Sequence, residues 1–123
     1  MGLKLLYIAN ILVAGWIGIT SLFFPETAIR TVFENTYKYS EVLRVVGALW
    51  FSIAVLSVLG LWKPVTFSPV LLIQLCYKGG WLLVVAIPAL LNNHTYPKGM
   101  AFFFVIWVIA IPLVFPWKTV FNP

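Results

Sequence analysis

A chain of 123 residues that is 63% hydrophobic and only 9% charged, with a mean hydropathy of +1.04, is far from the roughly 25% charged content of a soluble domain. That composition excludes an ordinary water-soluble enzyme and predicts an all-α integral membrane protein of one domain. The net charge of +5 reads as flanks facing anionic headgroups rather than a nucleic-acid surface, and a single cysteine, Cys76, with a single histidine, His94, leaves no disulfide, redox pair or four-ligand zinc site.

Residues 3–24 form the first apolar segment. It exceeds the roughly 7–15-residue core of a signal peptide and lacks a small-x-small cleavage pattern, so it is expected to stay as a transmembrane helix. Ala14 and Gly18, with Gly15 beside them, permit close helix approach, and Asn10 is placed for an interhelical hydrogen bond or a ligand contact. Beyond Pro25, Glu26, Arg30, Glu34 and Lys38 alternate in sign at i, i+4 opposite Ile29, Val32, Phe33 and Tyr37. This predicts an amphipathic interfacial helix over 26–38, a tether between spans or a lid over a pocket mouth.

The second span, 41–62, opens with Ser40 as N-cap and Glu41 in the first turn. Arg44, at i+3 from Glu41, either snorkels while paired to it or meets an anionic head group or substrate. Gly47, Ala48 and Ser52 offer a close-packing strip beside the large ring of Trp50. The third span, 68–91, is expected to start with Ser68 as N-cap and Pro69 at N1, to weaken or approach a neighbour at Gly79-Gly80, and to kink at Pro88. A polar loop, 92–98, carries a sequon-like Asn93-His94-Thr95 too short of reach for glycosylation and a solvated His94. The last span, 99–115, is apolar throughout and bent by Pro112 and Pro116. Four helices of this kind predict a transmembrane four-helix bundle, with Cys76 as buried packing.

The chemistry concentrates in the third span, where Gln74, Tyr77, Lys78 and Trp81 fall at i, i+3, i+4, i+7 and share one face. An intramembrane charge costs roughly 2.5–3.5 kcal/mol on insertion scales, so such a stripe is expected to face a bundle interior or a cavity. Ideal helices leave Lys78 about 15 Å from Glu41 and Glu26. A lysine without a counter-ion sheds its proton, takes an anion or sits in a hydrated cavity; the alternative is that Lys78 snorkels or bonds carbonyls freed near the glycines and Pro88. No paired carboxylates, Ser/His/Asp set, metal cluster or phosphate loop accompanies it, which gives no catalytic assignment and no metal. The candidate ligand-binding set is therefore Gln74, Tyr77, Lys78 and Trp81 with Glu41, Arg44, Trp50 and Asn10, around a lipid-like or quinone-like amphiphile and no fixed cofactor. The alternatives are an oligomeric small-molecule or ion transporter and an accessory subunit of a membrane complex, both of which turn the stripe outward.

The strings Leu22-Phe-Phe-Pro25-Glu26 and Glu41-Val-Leu-Arg44-Val-Val-Gly47-Ala48, with a polar residue set in the third helix, resemble the DoxX-like group of small bacterial membrane proteins. The resemblance implies a bacterial inner-membrane bundle and leaves the chemistry open. Lys4, Lys63 and Lys118 lie against helix ends on the termini side, which places both termini in the cytoplasm.

Overall fold

A computed structural model describes residues 2–121, and these are helical throughout their length apart from short connections. The helices are α1 (Gly2–Phe23), α2 (Pro25–Thr31), α3 (Glu41–Trp62), α4 (Pro69–Trp81), α5 (Ile87–Leu91), α6 (Lys98–Val114) and α7 (Trp117–Phe121), with one π-helical turn (Leu82–Ala86) joining α4 to α5. Among the described residues, three units are long and apolar enough to cross a membrane: α1, α3 and the continuous rod Pro69–Leu91. The apolar α6 is shorter, at 17 residues. Large side chains such as Leu12, Val42, Trp62, Leu83 and Leu113 stand exposed around the outside, a surface compatible with a lipid surround.

The tightest interface joins α1 to α3, and glycines make it possible. A Cβ on Gly18 would lie 2.5 Å from the Phe51 nitrogen, and one on Gly47 would lie 2.7 Å from the Leu22 nitrogen. Gly60 receives the Tyr7 ring in the same way, at 2.7 Å. The close-packing face of α3 thus runs through Gly47, Ala54, Ser57 and Gly60, all buried. Ala48 and Ser52, expected on that strip, are exposed, because the helical repeat rotates them away from α1. A second pair, α4 with α6, stands beside the first, and the seams α1–α6 and α3–α4 are loosely packed.

Gly79 and Gly80 behave differently from the α1–α3 glycines. No heavy atom lies within 4 Å of a Cβ built at either position, so they mark no close approach. The irregularity follows them, in the wide turn Leu82–Ala86. Pro88 lacks an N–H and its ring crowds the carbonyl four residues back; a π turn placed just before it absorbs both effects. The rod ends with Asn93 at φ 57° and the His94 nitrogen donating to the Ala89 oxygen at 2.8 Å, a left-handed C-terminal cap. Ser68 stands at the N-cap position of α4, as expected, but with αR backbone and no capping bond from its side chain, its hydroxyl donating instead to the Val65 oxygen at 2.7 Å. Cys76 is exposed rather than buried, since it lies on the outer face of α4.

The helix expected over 26–38 stops at Thr31. The nitrogens of Val32 and Phe33 both donate to the Ala28 oxygen, and Glu34 and Asn35 then take φ 52° and 59°. Positive φ suits asparagine and is uncommon for glutamate, and it breaks the i, i+4 ladder. Glu34 is held there by a distant partner: its Oε2 accepts from the Gly99 nitrogen at 2.8 Å. Gly99 sits in the first turn of α6, where Pro97 at the N-cap has no capping side chain, so Glu34 caps α6 from 65 positions away in sequence.

Candidate functional site

Three buried polar residues tie the helices together. The Asn10 Nδ2 donates to Ser57 Oγ at 3.0 Å and to Gln74 Oε1 at 2.7 Å, and the Gln74 Nε2 donates back to Asn10 Oδ1 at 2.9 Å. All three side chains are fully shielded. The network joins α1, α3 and α4, the last of which contacts α1 little otherwise. Each such bond contributes about 1 kcal/mol net, and leaving one partner unsatisfied costs about 1–3 kcal/mol. Gln74, expected to face a ligand, is therefore occupied by Asn10.

A second polar brace crosses the α3–α4 seam, where Trp50 Nε1 donates to the Tyr77 hydroxyl at 2.7 Å. Trp50 also packs on Phe33, ring centroids 6.0 Å apart, and Phe104 meets Tyr77 and Trp81 edge-on at 6.0 and 5.3 Å. Edge-on pairs of this kind add about 0.5–1.5 kcal/mol beyond area burial. The aromatic group forms a collar beside Lys78.

Lys78 is 6% exposed. Its Nζ lies 4.4 Å from the Trp107 ring centroid, 5.2 Å from Phe104 and 5.7 Å from Tyr77. A desolvated cation on an aromatic face gains about 2 kcal/mol or more, which would offset much of the roughly 2.5–3.5 kcal/mol that a charged lysine costs at membrane depth. The rings hold the amine without supplying an anion. The stripe thus turns inward, and Lys78 borders a cavity of about 330 Å³ with Asn10, Ile17, Trp50, Phe103 and Trp107. That volume lies within the range of small-molecule pockets.

The lining of this cavity also includes Glu34 and Gly99, the latter in the first turn of α6. Of the expected set, Asn10, Trp50 and Lys78 border the cavity, while Tyr77 and Trp81 line a separate groove behind Trp50. Glu41 and Arg44 are exposed and line neither space. Glu41 Oε1 accepts from the Tyr39 hydroxyl at 2.6 Å, which pushes the Tyr39 phenol above its usual range, the neutral donor form being the one stabilised.

Sequence reasoning missed Glu34, Phe104 and Trp107. The turn that carries Glu34 to the cavity depends on positive φ, which a charge ladder hides. Met100, Phe104, Trp107 and Ile111 form the buried face of α6, but in a helix apolar all round no polar residue marks which side points inward. No family model, curated protein or solved structure compared with this chain matches it.

Proposed function

We propose that this chain is an integral membrane protein, a bundle of four crossings built from α1, α3, the Pro69–Leu91 rod and α6, that binds an amphiphilic small molecule against Lys78. The observation that carries this is the environment of Lys78: a buried amine resting on three ring faces and bordering a cavity of about 330 Å³. An amine so placed is a ready partner for an electronegative head, whether the carbonyl of a quinone-like ring or the acid of a lipid. Glu34 caps α6 at the cavity wall and so couples the segment after α2 to the pocket. The inward stripe supports binding over the transporter and accessory-subunit alternatives. Affiliation with the DoxX-like group, a bacterial inner membrane and cytoplasmic termini form part of the same proposal, supported by the helix layout and the placement of lysines.

The test is small-molecule mass spectrometry of protein purified in mild detergent. Wild type is expected to retain an extractable amphiphile, and Lys78→Met, which keeps the stem volume and removes the amine, is expected to lose it while its helical circular dichroism is unchanged. Equal retention in both, with Lys78→Met more stable, overturns the proposal.

A further inference from the structure

The groove behind Trp50 is not used by the site described above. It measures about 660 Å³ and runs along the α3–α4 seam, walled by Leu43, Val46, Ile53, Leu56, Val70 and Ile73. Its polar groups are few: Tyr37, Lys38 and Ser40, the ring nitrogen of Trp81, the bonded pair Trp50–Tyr77, and Ser52, whose hydroxyl donates back to the Ala48 oxygen at 2.8 Å. Val42, Leu49 and Ile73 at its edges are 66%, 61% and 59% exposed, so the groove opens sideways along two helices long enough to cross a membrane. Trp50, Met100 and Phe104 line both this groove and the Lys78 cavity. They are the wall between a small chamber, which holds the Lys78 amine and also the Glu34 carboxylate that accepts from the Gly99 nitrogen, and a larger apolar chamber open to the side.

We infer that the two chambers take the two ends of one long-chain carboxylate, with the carboxylate at Lys78 and the chain in the α3–α4 groove, passing the common wall where Trp50 meets Tyr77. The inference rests on the binding function proposed above. Its occupant is set by chemistry at each end: an amine without a contacting acid selects the anion, and a groove with almost no polar lining selects hydrocarbon. A chain moving from lipid into the groove gains no hydrophobic energy, because lipid is as apolar as the groove. Affinity therefore lies in the head, and the groove decides which chains fit. The Trp50–Tyr77 bond acts as the latch of the wall, and Met100, an adaptable side chain, supplies the give.

The experiment uses the full chain in mild detergent with palmitate carrying a photoreactive diazirine either beside the carboxylate or at the chain end, adducts being mapped by peptide mass spectrometry. The head probe is expected on Phe103 or Trp107 and the tail probe on Leu43, Val46 or Ile73, with both lost in Lys78→Met. Ile73→Trp, a change at an exposed edge that spares the fold, is expected to keep the head adduct and lose the tail adduct. Absence of the head adduct in wild type overturns this inference alone, and its persistence in Lys78→Met overturns the Lys78 function itself. A head adduct that depends on Lys78 with the tail label outside the groove overturns this inference alone. Equal groove labelling in wild type and Lys78→Met, the signature of bulk lipid, overturns it too, as does a groove that is unlabelled and crosslinks to a second copy.

Discussion

At the residue scale, glycines with the same sequence appearance have opposite roles. Gly18→Ala or Gly47→Ala drives a methyl into backbone 2.5–2.9 Å away, and such overpacking costs about 1–3 kcal/mol. Gly80→Ala meets open space and gains roughly 1 kcal/mol of helix propensity. Thermal unfolding in detergent is expected to show the first two lowered and the third unchanged or raised. A lowered midpoint for Gly80→Ala contradicts the account of that position. Asn10→Leu strands Gln74 and is expected to cost about 1–3 kcal/mol, and adding Gln74→Leu is expected to recover part of that loss, because replacing both partners removes the unsatisfied group. Simple additivity in this double-mutant cycle contradicts a direct amide pair. The Asn10–Gln74 bond was not legible in the sequence: both side chains were visible as buried amides, but their partnership depends on which helices share a seam.

At the element scale, the segment from Pro25 to Ser40 is a short helix followed by a left-handed turn pinned at Gly99. Cysteines at 30 and 34 are expected to react with a water-soluble maleimide, since Arg30 and Glu34 are exposed, while one at 33 is expected to be protected beside the core as Phe33 is. Equal reactivity at all three positions points to a loose loop and removes the pinned turn. Glu34→Gln keeps an acceptor for the Gly99 nitrogen and is expected to be mild; Glu34→Ala removes the cap and is expected to cost about 0.5–2 kcal/mol. A neutral Glu34→Ala contradicts the capping role. The amphipathic pattern of 26–38 was legible, and its helical extent was not, because i, i+4 charges score the same whether or not a residue such as Glu34 is drawn off by a tertiary partner. The inward side of α6 was hidden for a related reason, a helix apolar on every face giving no contrast to read.

At the scale of the whole molecule, composition made the all-helical build and the long apolar helices legible, and the Gln74–Trp81 stripe gave the direction of the interior. The division into two tight helix pairs with two open seams was not legible, because it follows from the three α1–α3 glycine contacts at Gly18, Gly47 and Gly60, which concentrate close packing on one side. The central claim is that a bound amphiphile sits against Lys78, the one lysine that the chain itself buries, beside exposed Lys4, Lys38, Lys63, Lys98 and Lys118. Reductive methylation followed by peptide mass spectrometry, on protein as purified and after exhaustive delipidation, tests it most directly. The account expects Lys78, screened by its rings in both samples, to react less than the exposed lysines in each and to gain modification in the second, while the exposed lysines react equally in both; an extent of Lys78 modification that does not change on delipidation contradicts it.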